Sequence, residues 1–501
     1  MADVAEEIQG NWTSVRIINT ASHTEFTNDA VNVPYLNVIQ SLDLSRVGKL
    51  TLSDEGFRDY DSLKNLDISA TELSTIKSSW FSKKTIETIN LSENELQELK
   101  KESMKFFPQL RVFNASFNQI KTLEAKTFAE SKKIEVIVLS HNRLVNVVFD
   151  DLQNLRQLYL EGNLIVTIWV WTFARMPKLQ IINLAENAIT GVVDRSFTAL
   201  ESLKYLNLSD NKIPYIGPWS FAGGSKIELE TIDLSYNSIT IMYPISLHEM
   251  IHALSLDLSF NKISEIYEKN FLKTTNLQML NLQDNQIKKI APKSFAKLTQ
   301  LMTLDLSNNK LENFDVTLFD GNSFEDNRLR KLNLRNNLIK NVNKELFLLF
   351  NFLNNLDISE NKLKTIPDDF LKTNKYLMSL NVASNQIEFF PSNFFTSLTF
   401  LKEFDVHNNQ INYLPSMMDL DRLQSLKIGK NPWQCACLRE FIAWTRVNDI
   451  ELDKFNFNPP FPSCVVTTEM KCIKDFPLVD PDIKMKFNDG VSLVEMEVGR
   501  L

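Results

Sequence analysis

The stretch HEMIH, His248 to His252, fits H-E-x-x-H. On a helix that spacing sets two imidazoles on one face to grip zinc, with Glu249 between them as general base of a peptidase. Such a site also needs a sustained helix beside a cleft and a third protein ligand. No Gly-rich phosphate loop, G-x-S-x-G turn or Ser/His/Asp set accompanies it, and no cofactor motif is visible. With only 5 His in 501 residues the match is uncommon by chance, so the elements around it have to decide.

Composition narrows the field. Hydrophobic residues make up 44% of the chain, enough for a large core, and 12 Gly and 16 Pro leave little material for flexible linkers. The formal net charge of −8 argues against nucleic-acid binding, which rests on Lys and Arg neutralising phosphates. No apolar run reaches the ~20 residues of a membrane span. The opening MADVAEEIQG has neither a basic nor an apolar leader region, so the expectation is an intracellular protein or a chain without its signal peptide.

Self-similarity sets the architecture. LKYLNLSDNKI (Leu203 to Ile213), LQMLNLQDNQI (Leu277 to Ile287) and LMTLDLSNNKL (Leu301 to Leu311) all fit LxxLxLxxNxL, the leucine-rich-repeat signature. The Asn recurs at Asn94, Asn118, Asn142, Asn163, Asn187, Asn211, Asn237, Asn261, Asn285, Asn309, Asn337, Asn361, Asn385, Asn409 and Asn431, mostly 24 residues apart. Steps of 21 (to Asn163), 26 (to Asn237), 28 (to Asn337) and 22 (to Asn431) are the exceptions, and Val47 and Thr71 hold the slot in two earlier repeats. The expectation is an α/β solenoid, a horseshoe of about seventeen coils with a concave parallel sheet. Its leucines alternate inward along short strands, and the asparagines hydrogen-bond to backbone groups of neighbouring coils. A phenylalanine ten residues after the Asn, as at Phe128, Phe173, Phe197, Phe221, Phe271, Phe295, Phe319, Phe347 and Phe395, reads as a spine on the convex side.

On this frame HEMIH falls in a convex connector, with Leu247 in the phenylalanine slot and the next coil starting at Ala253. At most a turn or two of helix fits there, and Glu265 and Glu268 lie one coil away. The motif reads as coincidence, so no catalytic or metal-binding residue is assigned.

All four cysteines, Cys435, Cys437, Cys464 and Cys472, follow the last repeat. A terminal coil needs a cover, and clustered cysteines suit a disulfide-stapled lid. Zinc is the competing reading, although C-x-C lacks the usual C-x₂₋₄-C spacing and no His lies near. The segment NPWQCAC…FIAW resembles the cysteine-rich C-terminal flank of extracellular leucine-rich-repeat proteins, a group that includes Toll-type receptor ectodomains, Slit, and insect adhesion and immune proteins. The resemblance implies pairing of Cys435 with Cys464 and of Cys437 with Cys472. Two departures are visible: Ala436 stands where an acidic residue is usual, and the interval from Cys464 to Cys472 is short. The family's N-terminal cysteine flank is missing. The expected division is therefore a cysteine-free cap over 1–35, repeats over 36–431, the cysteine-rich cap over 432–475 and a tail over 476–501.

Disulfides imply an oxidising compartment, and four N-x-S/T sequons at Asn11, Asn90, Asn114 and Asn207 agree with an extracellular glycoprotein. The last three stand at outward positions of the concave strands. Recognition in this architecture belongs to those positions, and the aromatics Phe117, Tyr159, Tyr205, Tyr236 and Phe260 stand out among them as a contact surface. Asp210, Asp233, Asp257, Asp284, Asp305, Asp357 and Asp405 flank them and read as alternation with Asn at consensus positions. The loop FDGNSFEDNRL of the 28-residue step is a second place for a partner, whereas WVW (Trp169 to Trp171) reads as core filling. The expected protein is an extracellular recognition module, a receptor ectodomain or secreted factor of innate immunity or of adhesion and guidance. It would bind a protein ligand or co-receptor, and a homo- or hetero-dimer is compatible with it. The alternatives are a zinc peptidase centred on HEMIH and an intracellular scaffold with reduced cysteines.

Overall fold

A computed structural model describes residues 13–17, 23–26, 36–81, 84–149, 151–218, 221, 227–243, 246–247, 250–321, 327–452, 463–467, 471–474, 482–488 and 493–495. The chain divides into two compact units, Met1–Ala253 and Leu254–Leu501. Both are built from the same coil, a turn of parallel β-solenoid, and the two units between them count about seventeen such turns.

Each coil opens with a three-residue strand whose middle side chain points in. In Tyr205–Asn207 and Thr231–Asp233, for example, Leu206 and Ile232 are buried while their neighbours face outward. That alternation is the pleat of an extended chain, and apolar residues at every second position select it. Successive strands pair in parallel without slipping, so Leu158, Ile182, Leu206 and Ile232 form one inward row. Among the described residues the first unit carries ten such strands, from Ser14–Arg16 to Thr231–Asp233, and the second eight, from Ser255–Asp257 to Ser425–Lys427, followed by the two-residue strand Glu451–Leu452.

The recurrent Asn turns into the core and ties each coil to the one before. Asn142 Nδ2 donates to the carbonyls of Ala115 (2.9 Å), Leu139 (3.1 Å) and Ser140 (3.2 Å), while its Oδ1 accepts from the Ile120 amide (2.9 Å). The same arrangement holds where the step is irregular. Asn163 accepts from the Leu144 amide and Asn337 from the Leu311 amide, both at 3.0 Å. Insertions are therefore absorbed in the connectors. Thr71 keeps part of the pattern, its hydroxyl donating to the Ile68 carbonyl at 2.9 Å.

The residue just before the Asn lies in the left-handed region in every coil, with φ of 51–53° at Asp210, Phe117, Tyr236, Glu186 and His141. This costs a non-glycine residue about 1–2 kcal/mol. It also aims the N–H along the ladder, as when the Phe117 amide donates to the Ser140 carbonyl at 2.9 Å. Behind the strands all nine spine phenylalanines are buried, and Phe173, Phe197 and Phe221 stack at 6.0 Å centroid spacing. Most connectors are turns. Within the coils, helix is confined among the described residues to Lys101–Met104 and Lys344–Leu349, plus short 3₁₀ turns.

The second unit ends in the helix Cys435–Val447, whose buried face is Cys437, Leu438, Phe441, Ile442 and Thr445, and in the strand Glu451–Leu452 laid against Ser425–Lys427. Cys435 pairs with Cys464 and Cys437 with Cys472. Gln434, fully buried, clasps Ile473 in both directions: its amide donates to the carbonyl at 2.8 Å and accepts from the N–H at 3.1 Å. The tail docks on this lid, Leu493–Glu495 pairing antiparallel with Ser463–Val465, and Lys484 forms an ion pair with Glu388. At the other end, Ser14–Arg16 adds a parallel rung to Ser41–Asp43, and His23–Phe26 pairs with Lys49–Leu52. Among the described residues no helix is long and apolar enough to cross a membrane.

Removing the Asn309 amide leaves the buried Ile287 N–H without its acceptor and takes one donor from each of three carbonyls, Leu282, Leu306 and Ser307. Asn309→Ala is expected to lower unfolding free energy by about 3 kcal/mol, whereas the exposed neighbour Lys310→Ala changes it by less than about 0.5. Urea denaturation of the two variants measures the contrast, and equal effects would contradict this role for Asn309.

Candidate functional site

The outward positions of the strands differ between the units. In the first unit one row reads Val112, Val136, Gln157, Ile181 and Tyr205, and the next Asn114, Val138, Tyr159, Asn183 and Asn207, each residue in register with its neighbour. All ten are half-buried. Val112, Val136, Val138, Tyr159, Ile181 and Tyr205 therefore make an apolar window on the concave face. The aliphatic members were missed by a sequence reading that looked for aromatics. Their signal was present in VIV and IIN, where β-branched residues fill both the inward and the outward slots.

Of the five aromatics singled out from the sequence, Tyr159 and Tyr205 stand on strands within this window. Tyr159 donates to Gln157 Oε1 at 3.2 Å. Burial, and then the Asp233 charge, push the Tyr205 phenol above its ordinary value. Phe117, Tyr236 and Phe260 are not on strands: they occupy the left-handed turn position on the rim, and Phe260 belongs to the second unit. Phe117 and Tyr236 are 55% and 54% exposed at a backbone conformation that bulky residues avoid. Phe117 stacks on His141 with centroids 4.4 Å apart, and the His141 ring lies across Gly162. A Cβ at Gly162, whose φ is +67°, would sit 2.3 Å from His141 Nδ1. Gly162→Ala is expected to cost about 1–2 kcal/mol and to unstack His141 from Phe117. Thermal melts and the His141 proton shifts, which ring currents move, report the two effects, and a neutral substitution with unchanged shifts would contradict the close approach.

The second unit presents a polar trough of about 500 Å³ whose lining includes Lys331, Asn333, Asn355, Asp357, Asn381 and Glu403. Its aspartates, like Asp257 of the same row beyond the trough, are bound within the fold. Asn281, Asn333 and Asn381 donate to Asp257 (2.9 Å), Asp305 (2.9 Å) and Asp357 (3.0 Å). The other oxygen of each Asp accepts from a serine amide two residues on. The alternation of Asp and Asn is thus a structural device. Asp405 closes the row against His407 Nδ1 (2.6 Å) and Lys427 Nζ (3.4 Å). Burial raises its carboxyl, but the hydrogen bond and charge of His407, with Lys427, outweigh burial and hold it below the ordinary value. Such a group stabilises the fold above the unfolded Asp value of about 3.9 and loses that effect as pH falls through its lower folded value. The unfolding midpoints of wild type and Asp405→Asn should differ at neutral pH and converge below about pH 4, and a gap independent of pH would contradict the assignment.

The remaining candidates fall in different places. Asn90, Asn114 and Asn207 sit half-buried on the concave strands, with Asn90 Nδ2 donating to Asp67 at 2.9 Å; Asn11 lies outside the described residues. His248 and Glu249 also lie outside them, and His252 is exposed. Residues 322–326 of the FDGNSFEDNRL loop are likewise outside. Trp169 and Trp171 correct the core-filling expectation. Ile168, Thr172 and Phe173 take the inward slots, and the two indoles stack on each other at the surface.

Comparison with known proteins follows the geometry. A family model described as "Leucine rich repeat" matches residues 61–120, 108–165, 153–213, 177–229, 251–311 and 375–432, more than half of the chain. Mimecan of Bos taurus is 32% identical over 127 residues, which is 25% of this chain and 40% of mimecan, so the chain spans well under half of that relative. Among solved structures, the Leptospira interrogans LRR protein LIC12759 superposes with a TM-score of 0.66 at 23% identity, covering 86% of this chain and 99% of that one. Toll, in the Toll–Spatzle complex of Drosophila, gives 0.62 at 18% identity, covering 92% and 64%. These likenesses are of fold. On the matched repeats and the ladder that builds them, the chain belongs to the leucine-rich-repeat family.

Proposed function

We infer that the protein is an extracellular recognition module, a receptor ectodomain or secreted binding factor of innate immunity or of adhesion and guidance. Its ligand is a protein or peptide that docks on the window between Val112 and Tyr205. One observation carries the reading: this stretch of the concave face places valine, isoleucine and tyrosine where the frame does not require them, while the second of these rows in the second unit is spent on Asp–Asn hydrogen bonds within the fold. Apolar and aromatic groups that hold no core in place are the material of a docking surface. Phe117 and Tyr236 supply further contacts on the rim of the same unit, and Phe260 is a proposed contact residue of the second unit by itself.

The setting supports it. Two disulfides suit an oxidising compartment, and mimecan and Toll are the kind of protein this chain resembles, the latter solved with a protein partner. Asn90, Asn114 and Asn207 are the proposed glycan carriers. Asn114 and Asn207 stand four rungs apart, roughly 19 Å at the spacing of paired strands, so sugars there frame the window for an extended ligand. No catalysis is assigned. A zinc peptidase at His248, Glu249 and His252 would show stoichiometric zinc lost in His252→Ala, and an intracellular scaffold would show free thiols on alkylation.

The test presents the chain, secreted from eukaryotic cells, multivalently against a library of secreted proteins. A specific binder should lose roughly tenfold or more in affinity with Tyr159→Ala or Ile181→Asp and keep it with Lys331→Ala. The reverse pattern would put the ligand in the trough and end the window reading.

A further inference from the structure

The flank that follows the ladder turn carries a second surface. Counting from each ladder Asn, the positions three to six residues on bear no charged side chain in the five successive coils that begin at Asn142, Asn163, Asn187, Asn211 and Asn237. The same positions hold Glu98, Lys100, Lys121 and Glu124 in the two preceding coils, and Glu265, Lys288 and Lys289 in the two that follow in sequence. All five uncharged stretches lie in the first unit, and apolar residues predominate among their outward positions, with Asn146, Thr190 and Thr240 the exposed polar ones. Val166 and Ile241 are exposed, Trp169 stacks on Trp171 at 5.2 Å with rings 3° from parallel, and Tyr215 meets Tyr243 edge to face at 6.1 Å. Trp171, eight residues after Asn163 and so just beyond these positions, is 62% exposed beside them.

A part of the repeat that carries charge in the two coils before and the two after in sequence, and loses it over five in a row, is not explained by the core. The core is filled by Ile165, Ile168, Ile189, Ile216 and Met242, all buried. Water contact with so many apolar groups is unfavourable and marks an interface. The exposed apolar side chains of the flank offer on the order of 1,000 Å², against about 800 Å² per partner in a standard interface.

We propose that this flank is the self-association surface of the protein, where a second copy of the chain packs its own flank about a two-fold axis. An interface of that kind requires a patch complementary to itself. An uncharged apolar patch meets its copy without opposing like charges. The rest of a chain with formal net charge −8 meets a second copy with like charge in excess. The four sequons also lie elsewhere in the repeat: Asn90, Asn114 and Asn207 are on concave strands, and Asn11 precedes the repeats. Carbohydrate therefore leaves the flank open. The surface is separate from the concave window, so its test does not depend on that reading.

Sedimentation equilibrium of the secreted, glycosylated chain at micromolar concentration is the experiment. The expected result is a species of twice the chain mass. Trp171→Glu and Tyr215→Glu, both at exposed positions, should each weaken association roughly tenfold or more with unchanged melting temperature. Met418→Glu, at an exposed methionine of the second unit, should leave it intact. A monomer throughout, including one whose flank captures a different protein, overturns the proposal. So does a dimer that persists in both flank variants.

Discussion

The asparagine that closes each strand is the interaction on which the rest depends. Its amide bonds both to its own strand and to the coil before, and it does so buried, where a missing partner costs about 1–3 kcal/mol. Because donor and acceptor are both used, no other residue type fills the slot without loss. Thr71 retains a donor, and Val47 none. Fixing the amide fixes the turn, and with it the left-handed residue before the Asn and the inward row of leucines. Connector length is then free to vary, which is why steps of 21 and 28 residues leave the ladder unchanged.

That division of labour separates frame from function. Inward rows, the phenylalanine spine and the asparagines consume the repeat consensus, so any chemistry that distinguishes this protein sits on outward residues. The second unit spends many of its own on Asp–Asn pairs and the Asp405–His407–Lys427 group. In the first unit Asn90 pairs with Asp67 in the same way, but the rungs from Val112 to Tyr205 carry no such pair among the described residues. The first unit carries an apolar window on the concave strands, an aromatic and histidine pair on the rim, and an uncharged flank beyond the turn.

The repeat architecture and the buried spine were legible in the sequence, because each rests on one residue type at a fixed interval, and the cysteine pairing followed from the resemblance of the flank to extracellular leucine-rich-repeat proteins. The rim was not. Phe117, Tyr236 and Phe260 read as outward strand residues, yet the slot before the ladder Asn is a turn of positive φ that glutamate, serine and lysine also occupy, so composition gives no warning of it. WVW read as core because tryptophan is usually buried, but Ile168 and Phe173 had already filled the inward slots of that connector. The tail carried no repeat and no heptad, and its docking on the lid depends on strand pairing with Ser463–Val465, which no local pattern announces.

A mutational scan of the chain displayed on eukaryotic cells, with folded surface expression as readout, tests the central separation most directly. Polar substitutions at Val136, Val138, Tyr159, Ile181 and Tyr205 should leave expression near wild type, while alanine at Asn142, Asn187 or Asn211 should depress it strongly. If the window positions prove as intolerant as the asparagines, their apolar side chains belong to the frame, and a recognition surface there has no basis.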